Sequence, residues 1–287
     1  MIATLLQELA GPSPGKAGGL ASMTAGAAGA ALFSKCRYPQ AAQAMESLQA
    51  LALDDGAAFE NYISAKRAGQ DVNRWLTEAT ESPLRAAEIS LGLLERLPQA
   101  KKKCPKSMIA DLLVGACLLD ASTRGNLKLV ETNLRLFYSG WSEGESRLRA
   151  VQTRLDERDA FAHLFGATES IAVIGISDEP NKPAFYVPSY LKEQGYRLWG
   201  IHPRGNSDLA EQTTLELKDL NNAPDLVLIF RRSEKVSEHL DDLLSVLPRF
   251  VWMQQGIRND EVAEALRAKG VTVVSDRCAM VEHQKLF

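Results

Sequence analysis

The chain has 287 residues, 45% apolar and 24% charged, with 20 Gly, 12 Pro and a formal charge of −3 from 33 basic and 36 acidic side chains. That length suits two domains, and the composition excludes a collagen, a disordered tail protein and a disulfide scaffold. No basic block is long enough to neutralise a phosphate backbone, so nucleic acid is not an expected partner; the one dense basic run, Lys101, Lys102, Lys103 and Lys106, reads as a solvated loop.

The cysteines, Cys36, Cys104, Cys117 and Cys278, form no CxxC pair, and His163, His202, His239 and His283 do not fall near them at zinc-ligand spacing, so no metal site is expected. Scattered thiols and no recognisable secretory leader point to the cytoplasm.

In chain order, Ile2–Ala10 reads as a short amphipathic helix ended by Gly11–Gly15. Ala17–Ser34 then runs for 18 residues without a charge, and 13 of the 15 residues from Ala17 to Ala31 are Gly, Ala, Ser or Thr. Such a segment lacks the Leu, Ile and Phe content that drives membrane insertion. It suits a helix pressed against other backbones, in a bundle or at a symmetric subunit interface, so a homodimer through the helical half and no membrane contact are expected. After a break at Tyr38-Pro39, Gln40–Arg67 is helical by spacing, although Asp54, Asp55 and Gly56 interrupt its polarity. Asp71–Leu97 follows, with Pro83 predicting a kink or a new helix start. Ser107–Phe137 repeats the pattern through Ile109, Leu112, Ala116, Leu119, Leu127, Val130 and Leu134. Nothing here alternates with period two, so the first half is an all-α helical bundle. Ser142–His163, polar and helical, is the expected connector.

From Ser170 the pattern changes. Strands are predicted at Ser170–Gly175, Arg197–His202, Asp225–Phe230, Phe250–Gln254 and Val271–Asp276, and helices at Ala184–Gln194, Glu234–Leu247 and Asp260–Lys269. Short apolar runs alternating with helices indicate an α/β doubly wound parallel sheet of Rossmann-like type. The boundary falls near residue 160, dividing the chain into domains at 1–158 and 159–287. The first holds 19 basic and 17 acidic side chains and the second 14 and 19, so an anion site in the second must rest on local groups.

In such a sheet, ligands sit beyond the carboxyl ends of the strands. The turn after the first strand, Gly175–Pro183, offers a helix N-terminus with Ser177 and Lys182 as added hydroxyl and cation. It keeps only the first glycine of GxGxxG, and the second strand ends Ile201-His202-Pro203-Arg204 without a carboxylate for a ribose, which disfavours NAD.

Six segments in order, Ile171–Ser177, Tyr190–Tyr196, Ile201–Pro203, Asp225–Arg232, Val251–Gly256 and Ser275–Cys278, resemble the small CoA-binding domain family related to the nucleotide domain of the succinate–CoA ligase alpha subunit. The resemblance implies coenzyme A, or an acyl-CoA, as ligand. It implies that Gly175 and Ser177 cradle its phosphates, with Lys182 at the family's basic position. His202, Pro203, Phe230 and Arg231 would flank adenosine and pyrophosphate, and Gln254 and Gly256 would close the site. His202 replaces the family's usual Asn. Cys278 looks nucleophilic alone, but no His or Asp is placed by sequence to activate it, and a packed thiol is the expected reading.

In the first half, Ser13–Gly19 leads into a helix with anion-friendly geometry, and Asp55 and Asp111 are carboxylates beside apolar helical faces, suited to acid–base work if buried. Together Leu6–Leu32, Asp55–Phe59, Thr80–Ala87 and Ser107–Leu134 resemble the cyclodeaminase/cyclohydrolase family, the helical half of formiminotransferase–cyclodeaminase and the methenyltetrahydrofolate cyclohydrolases. The resemblance implies a dimeric all-α fold, a one-carbon tetrahydrofolate substrate, and Asp55 and Asp111 as catalytic candidates. Two departures weaken catalysis: the glycine run ends in Leu20 instead of Ser, and the Asn-Val-Arg-x-Asn segment reads Leu129-Val130-Glu131-Thr132-Asn133. Replacing a guanidinium by Glu131 opposes an anionic pterin–glutamate. The expectation is a CoA-binding protein whose cyclodeaminase-like dimerisation domain has altered or lost catalysis. The alternative is an active folate cyclohydrolase or cyclodeaminase regulated by CoA.

Overall fold

Residues dense in Gly, Ala and Ser form a helix that other helices can approach closely, and this organises the first part of the chain. The computed structural model describes residues 6, 7, 9–11, 17–136, 141–203 and 207–287, and its contacts divide the chain into units at 1–158 and 159–287. Most of the Ile2–Ala10 helix and residues 12–16, which hold most of its expected end and the start of the Ser13–Gly19 run, lie outside the described residues.

In the first unit α1 is Ala17–Lys35, α2 Gln40–Arg67, α3 Asn73–Leu94, α4 Leu97–Lys103 and α5 Ile109–Leu136. Helix α6, Ser142–Gly166, contains the division between the units. The small face of α1 lies on α5. A Cβ on Gly29 would stand 2.7 Å from the Gly115 carbonyl oxygen, and one on Gly115 3.0 Å from that of Gly29. Farther along, Gly26 faces Ser122, Ser22 Oγ donates to Asn126 Oδ1 at 2.8 Å, and Gly18 meets Leu129. Numbers rise on one helix as they fall on the other, so the pair is antiparallel. One face of this segment is buried, with Met23, Ala30 and Phe33 fully inside, while Gly18, Ala21 and Ala28 stay exposed. Because its small residues are engaged by α5 within the chain, they no longer argue for a second copy. No described helix is long and apolar enough to cross a membrane.

Helix α2 has the expected bounds and runs on through Asp54, Asp55 and Gly56. One local expectation is corrected: Lys101–Lys103 form the last turn of helix α4 where a loop was expected. Pro98 suits the first turn of α4, and cations suit the carboxyl end of a helix.

Pro83 does not start a new helix. Helix α3 continues through it, and the reason lies on α5. Proline has no N–H to give the carbonyl four residues earlier. That carbonyl, of Ala79, instead accepts Asn133 Nδ2 at 3.0 Å. Farther along α3, Arg147 of α6 bonds both Glu81 and Glu88.

In the second unit the strands are β1 Ser170–Ile174, β2 Arg197–Ile201, β3 Gln212–Thr214, β4 Leu226–Ile229, β5 Phe250–Met253 and β6 Thr272–Val274. All pair in parallel, in the order β3-β2-β1-β4-β5-β6. Helices α7 Pro183–Glu193, α8 Leu240–Val246, α9 Asp260–Arg267 and α10 Ala279–Leu286 complete the unit. Ala172, Ile174, Val227, Ile229, Val251 and Met253 build one core, and Ile171, Val173, Leu226, Leu228, Phe250 and Trp252 the other. Both faces are covered, which is why the strands read as continuous apolar runs. The expected architecture, a helical bundle followed by a doubly wound parallel sheet, is the one observed. The helix predicted at Glu234–Leu247 is a 3-10 segment, Ser233–His239, followed by α8; its first seven residues bury only Val236, too little apolar face to impose a 3.6-residue period.

Asn133→Ala should leave the Ala79 carbonyl unsatisfied and lower stability by roughly 1–3 kcal/mol, read by urea unfolding. An unchanged midpoint would show that the bond does not offset the proline.

Candidate functional site

The sheet changes winding direction between β1 and β4, and the chain leaves β1 there through a glycine turn. Gly175 has φ +81, and a Cβ there would be 2.6 Å from the Phe230 carbonyl oxygen and 3.2 Å from Arg231 Cδ. Only glycine combines that dihedral with that approach. Its N–H donates to the Ile201 carbonyl at 2.9 Å, holding the turn against the end of β2.

The turn walls a cavity of about 590 Å³. Of the residues expected at the ligand, Gly175, Ser177, Lys182, His202 and Phe230 line it. Pro203 follows His202 in the chain, and Arg231 touches the Gly175 position. Gln254 and Gly256 do not line this cavity; they follow β5, beside the start of α10. The strand ends thus gather the expected set along one edge, but not into one pocket.

The donors differ from a plain helix-terminus cradle. The Ser177 N–H donates to the Ala184 carbonyl at 3.2 Å, and Pro183, the first residue of α7, has no N–H. Ser177 Oγ accepts the Glu179 N–H at 3.2 Å, which leaves its hydroxyl hydrogen to donate. Lys182 is paired with Glu179 at 2.5 Å, an exposed pair. Such pairs contribute roughly 0–1 kcal/mol, so Glu179 holds Lys182 only loosely. Asp178 and Glu179 also line the cavity. Sequence reasoning gave them no role, although two carboxylates in a proposed anion loop were a visible signal.

Beyond β4, Arg231 Nε and His239 Nε2 are buried without partners among the described residues. Burial, and then the Arg231 charge, hold His239 below the ordinary imidazole range. Gln254 Nε2 is a third buried donor without an acceptor. The position of His239 was not foreseen; it depends on the 3-10 segment that returns it toward Arg231.

The two helical carboxylates fare differently. Asp55 on α2 is 7% exposed, and burial pushes its carboxyl up to about 7. It stands so close to α1 that a Cβ on Gly19 would be 1.9 Å from Oδ2. Asp111 is partly exposed and paired with Lys35 at 2.6 Å. Gly19 and Lys35 lie near opposite ends of α1, sixteen residues or about 24 Å apart, so the two aspartates do not converge on one substrate atom. Glu131, the replaced guanidinium position, accepts from Lys128 and from Gln152, each at 2.7 Å. Among the described residues no group of His, Cys, Asp and Glu is arranged to hold a metal ion.

With this geometry in hand, the comparisons divide as the structure does. A model described as a CoA binding domain matches residues 169–284. Over 116 residues the chain is 32% identical to the protein YneT of Bacillus subtilis (strain 168), covering 40% of this chain and 86% of that one. Through this region the chain belongs to the CoA-binding domain family. A second model, described as Formiminotransferase-cyclodeaminase, matches residues 35–139, so the helical unit carries a cyclodeaminase-like domain. Among solved structures, the Thermus thermophilus protein called cell-free ID.343 is 39% identical, with a TM-score of 0.44 over 45% of this chain and 98% of that one. The formiminotetrahydrofolate cyclodeaminase of Thermotoga maritima is 21% identical, with a TM-score of 0.46 over 56% of this chain and 88% of that one.

Asp55 predicts a pH dependence. Its folded carboxyl titrates near 7 and its unfolded one near 4, so the folded state favours the neutral form. That stability is complete below about pH 4 and is lost as pH rises towards 7. Asp55→Asn escapes the loss, and between pH 5 and pH 8 its stability relative to wild type should rise by roughly 3 kcal/mol in urea unfolding. Parallel pH profiles would refute the burial effect.

Proposed function

We propose that the protein binds coenzyme A or an acyl-CoA at the β1 turn, and that its cyclodeaminase-like helical domain serves as a dimerisation module with altered or lost catalysis. The observation that carries this reading is the Gly175 turn: its φ of +81°, and a position where an added Cβ would stand 2.6 Å from the Phe230 carbonyl oxygen just after β4, go with a cavity beside Ser177, Lys182, His202 and Phe230. The fit to a phosphate-rich ligand is supported by the orphaned donor Arg231 Nε and by the weakly held Lys182. In this reading Ser177, Lys182 and Arg231 meet phosphate oxygens, and His202, Pro203 and Phe230 flank the adenosine. Gln254 and Gly256 lie toward the far end of the ligand.

Thermal shift with CoA tests it. At 100 times Kd, CoA should stabilise the protein by about 2.7 kcal/mol, and Gly175→Ala, which drives a methyl group into the Phe230 carbonyl, should abolish the shift. No shift for wild type overturns the reading.

A loss of folate chemistry agrees with the separation of Asp55 from Asp111 and with Glu131 in place of a guanidinium. The buried Asp55 favours the second reading, an active methenyltetrahydrofolate cyclohydrolase or cyclodeaminase regulated by CoA, and hydrolysis of methenyltetrahydrofolate by the purified protein would establish it.

Homodimerisation rests on α5, not on the glycines of α1. Ala110, Leu113, Val114, Cys117 and Ala121 lie exposed at helical spacing on α5, an apolar stripe left uncovered among the described residues. Light scattering at micromolar concentration should give a dimer for wild type and a monomer for Val114→Glu. A wild-type monomer would remove the dimer from the proposal.

A further inference from the structure

The same edge of the sheet carries a feature that the phosphate cradle leaves unused. Gln254, just after β5, is 4% exposed. Its Oε1 accepts the Ala279 N–H at 3.1 Å, which fixes the orientation of the amide. Its Nε2 is then left buried with no acceptor among the described residues. A buried donor without a partner costs roughly 1–3 kcal/mol, and such groups are rare unless something else satisfies them. Ala279 is the first residue of α10, and the residue before it, Cys278, is the N-cap of that eight-residue helix. As expected for a packed thiol, Cys278 lies half-buried against the core that includes Trp252 and Ala279; it is in no disulfide, and its sulfur makes no hydrogen bond among the described residues.

The backbone that presents it is held firmly. Trp252 Nε1 donates to the Arg277 carbonyl at 2.6 Å, and the Gly256 N–H donates to Asp276 Oδ1 at 2.7 Å. Parallel pairing puts the ends of β1, β4, β5 and β6 on one edge, and β1 is two strand spacings, about 10 Å, from β5. A pantetheine arm leaving the β1 turn is long enough to cross that distance.

We propose that Cys278 accepts the acyl group of an acyl-CoA, with the Gln254 amide and the amino end of α10 stabilising the thioester carbonyl oxygen as it becomes negative. This rests on the CoA reading above. The Cys278 sulfur attacks the thioester carbonyl carbon, a sulfur–carbon bond forms and the bond to the CoA sulfur breaks. The thiol proton passes to solvent, and the departing CoA thiolate takes one up. The products are S-acylcysteine and free CoA, and no oxidant or reductant is consumed. Preorganised N–H donors and a helix N-terminus act on charge that develops in such a transition state.

The test uses the full chain and acetyl-CoA. Peptide mass spectrometry should find an acetyl group on Cys278 that hydroxylamine removes, with one CoA thiol released for each group transferred. Cys278→Ala should abolish both signals. Gln254→Met, which keeps the side-chain length but has no N–H, should slow transfer about 100-fold, the usual size of one lost oxyanion donor. Should that variant misfold, the location of the adduct in wild type decides alone. CoA binding is measured in parallel by calorimetry. If CoA binds but acetyl does not reach Cys278, or reaches Cys36, Cys104 and Cys117 equally, the acyl-transfer inference falls and the CoA reading stands. If CoA does not bind, both fall.

Discussion

Close backbone approach, available only where a side chain is missing, is the constraint on which both halves depend. In the helical unit Gly29 and Gly115 face each other at distances that leave no space for a Cβ, and this sets the antiparallel contact of α1 with α5. In the sheet unit Gly175 brings the end of β1 against the Phe230 carbonyl. The first approach buries a helix that carries little apolar bulk of its own, because tight packing recovers dispersion contacts that larger side chains would otherwise supply. The second opens the cavity at the point where the sheet reverses its winding.

The electrostatics of the sheet unit follow from its composition. With 14 basic and 19 acidic side chains, its overall field does not attract an anion. Three buried side-chain nitrogens, Arg231 Nε, His239 Nε2 and Gln254 Nε2, have no hydrogen-bond partner among the described residues. Buried donors are strong partners for a ligand oxygen because little water has to be displaced from them. The exposed Lys182–Glu179 pair works differently, as a cation held loosely enough to change partners.

In the helical unit the same physics gives an opposite outcome for the two aspartates. Asp55 sits where α1 lacks side chains, so the carboxyl is shielded from water and its proton is retained to about pH 7. Asp111 lies near the other end of α1 with a lysine partner and solvent. Both share one helix as neighbour, and their distance along it separates their chemistry.

Much of this was legible in the residues. Apolar runs such as Ile171–Ile174 and Leu226–Ile229 announce strands covered on both faces, and the small-residue run after Ala17 announces a tightly packed helix, because these patterns record burial that is local along the chain. The Gly175 turn was legible too, since a glycine ending a buried strand has few other uses. What remained hidden depends on partners distant in sequence. Strand β3, Gln212–Thr214, is polar and becomes a strand only by pairing with β2. Helix α3 passes through Pro83 because Asn133, fifty residues away, supplies the missing donor. The separation of Asp55 from Asp111, and the pairing of Gln254 with the helix that begins after Cys278, likewise follow from how the elements pack. The sequence by itself determined the two architectures and the glycine turn after β1, because hydrophobic period and glycine stereochemistry act locally. Only the tertiary structure decided which polar groups are satisfied and which are left buried without a partner among the described residues, because a hydrogen bond joins atoms that folding brings together.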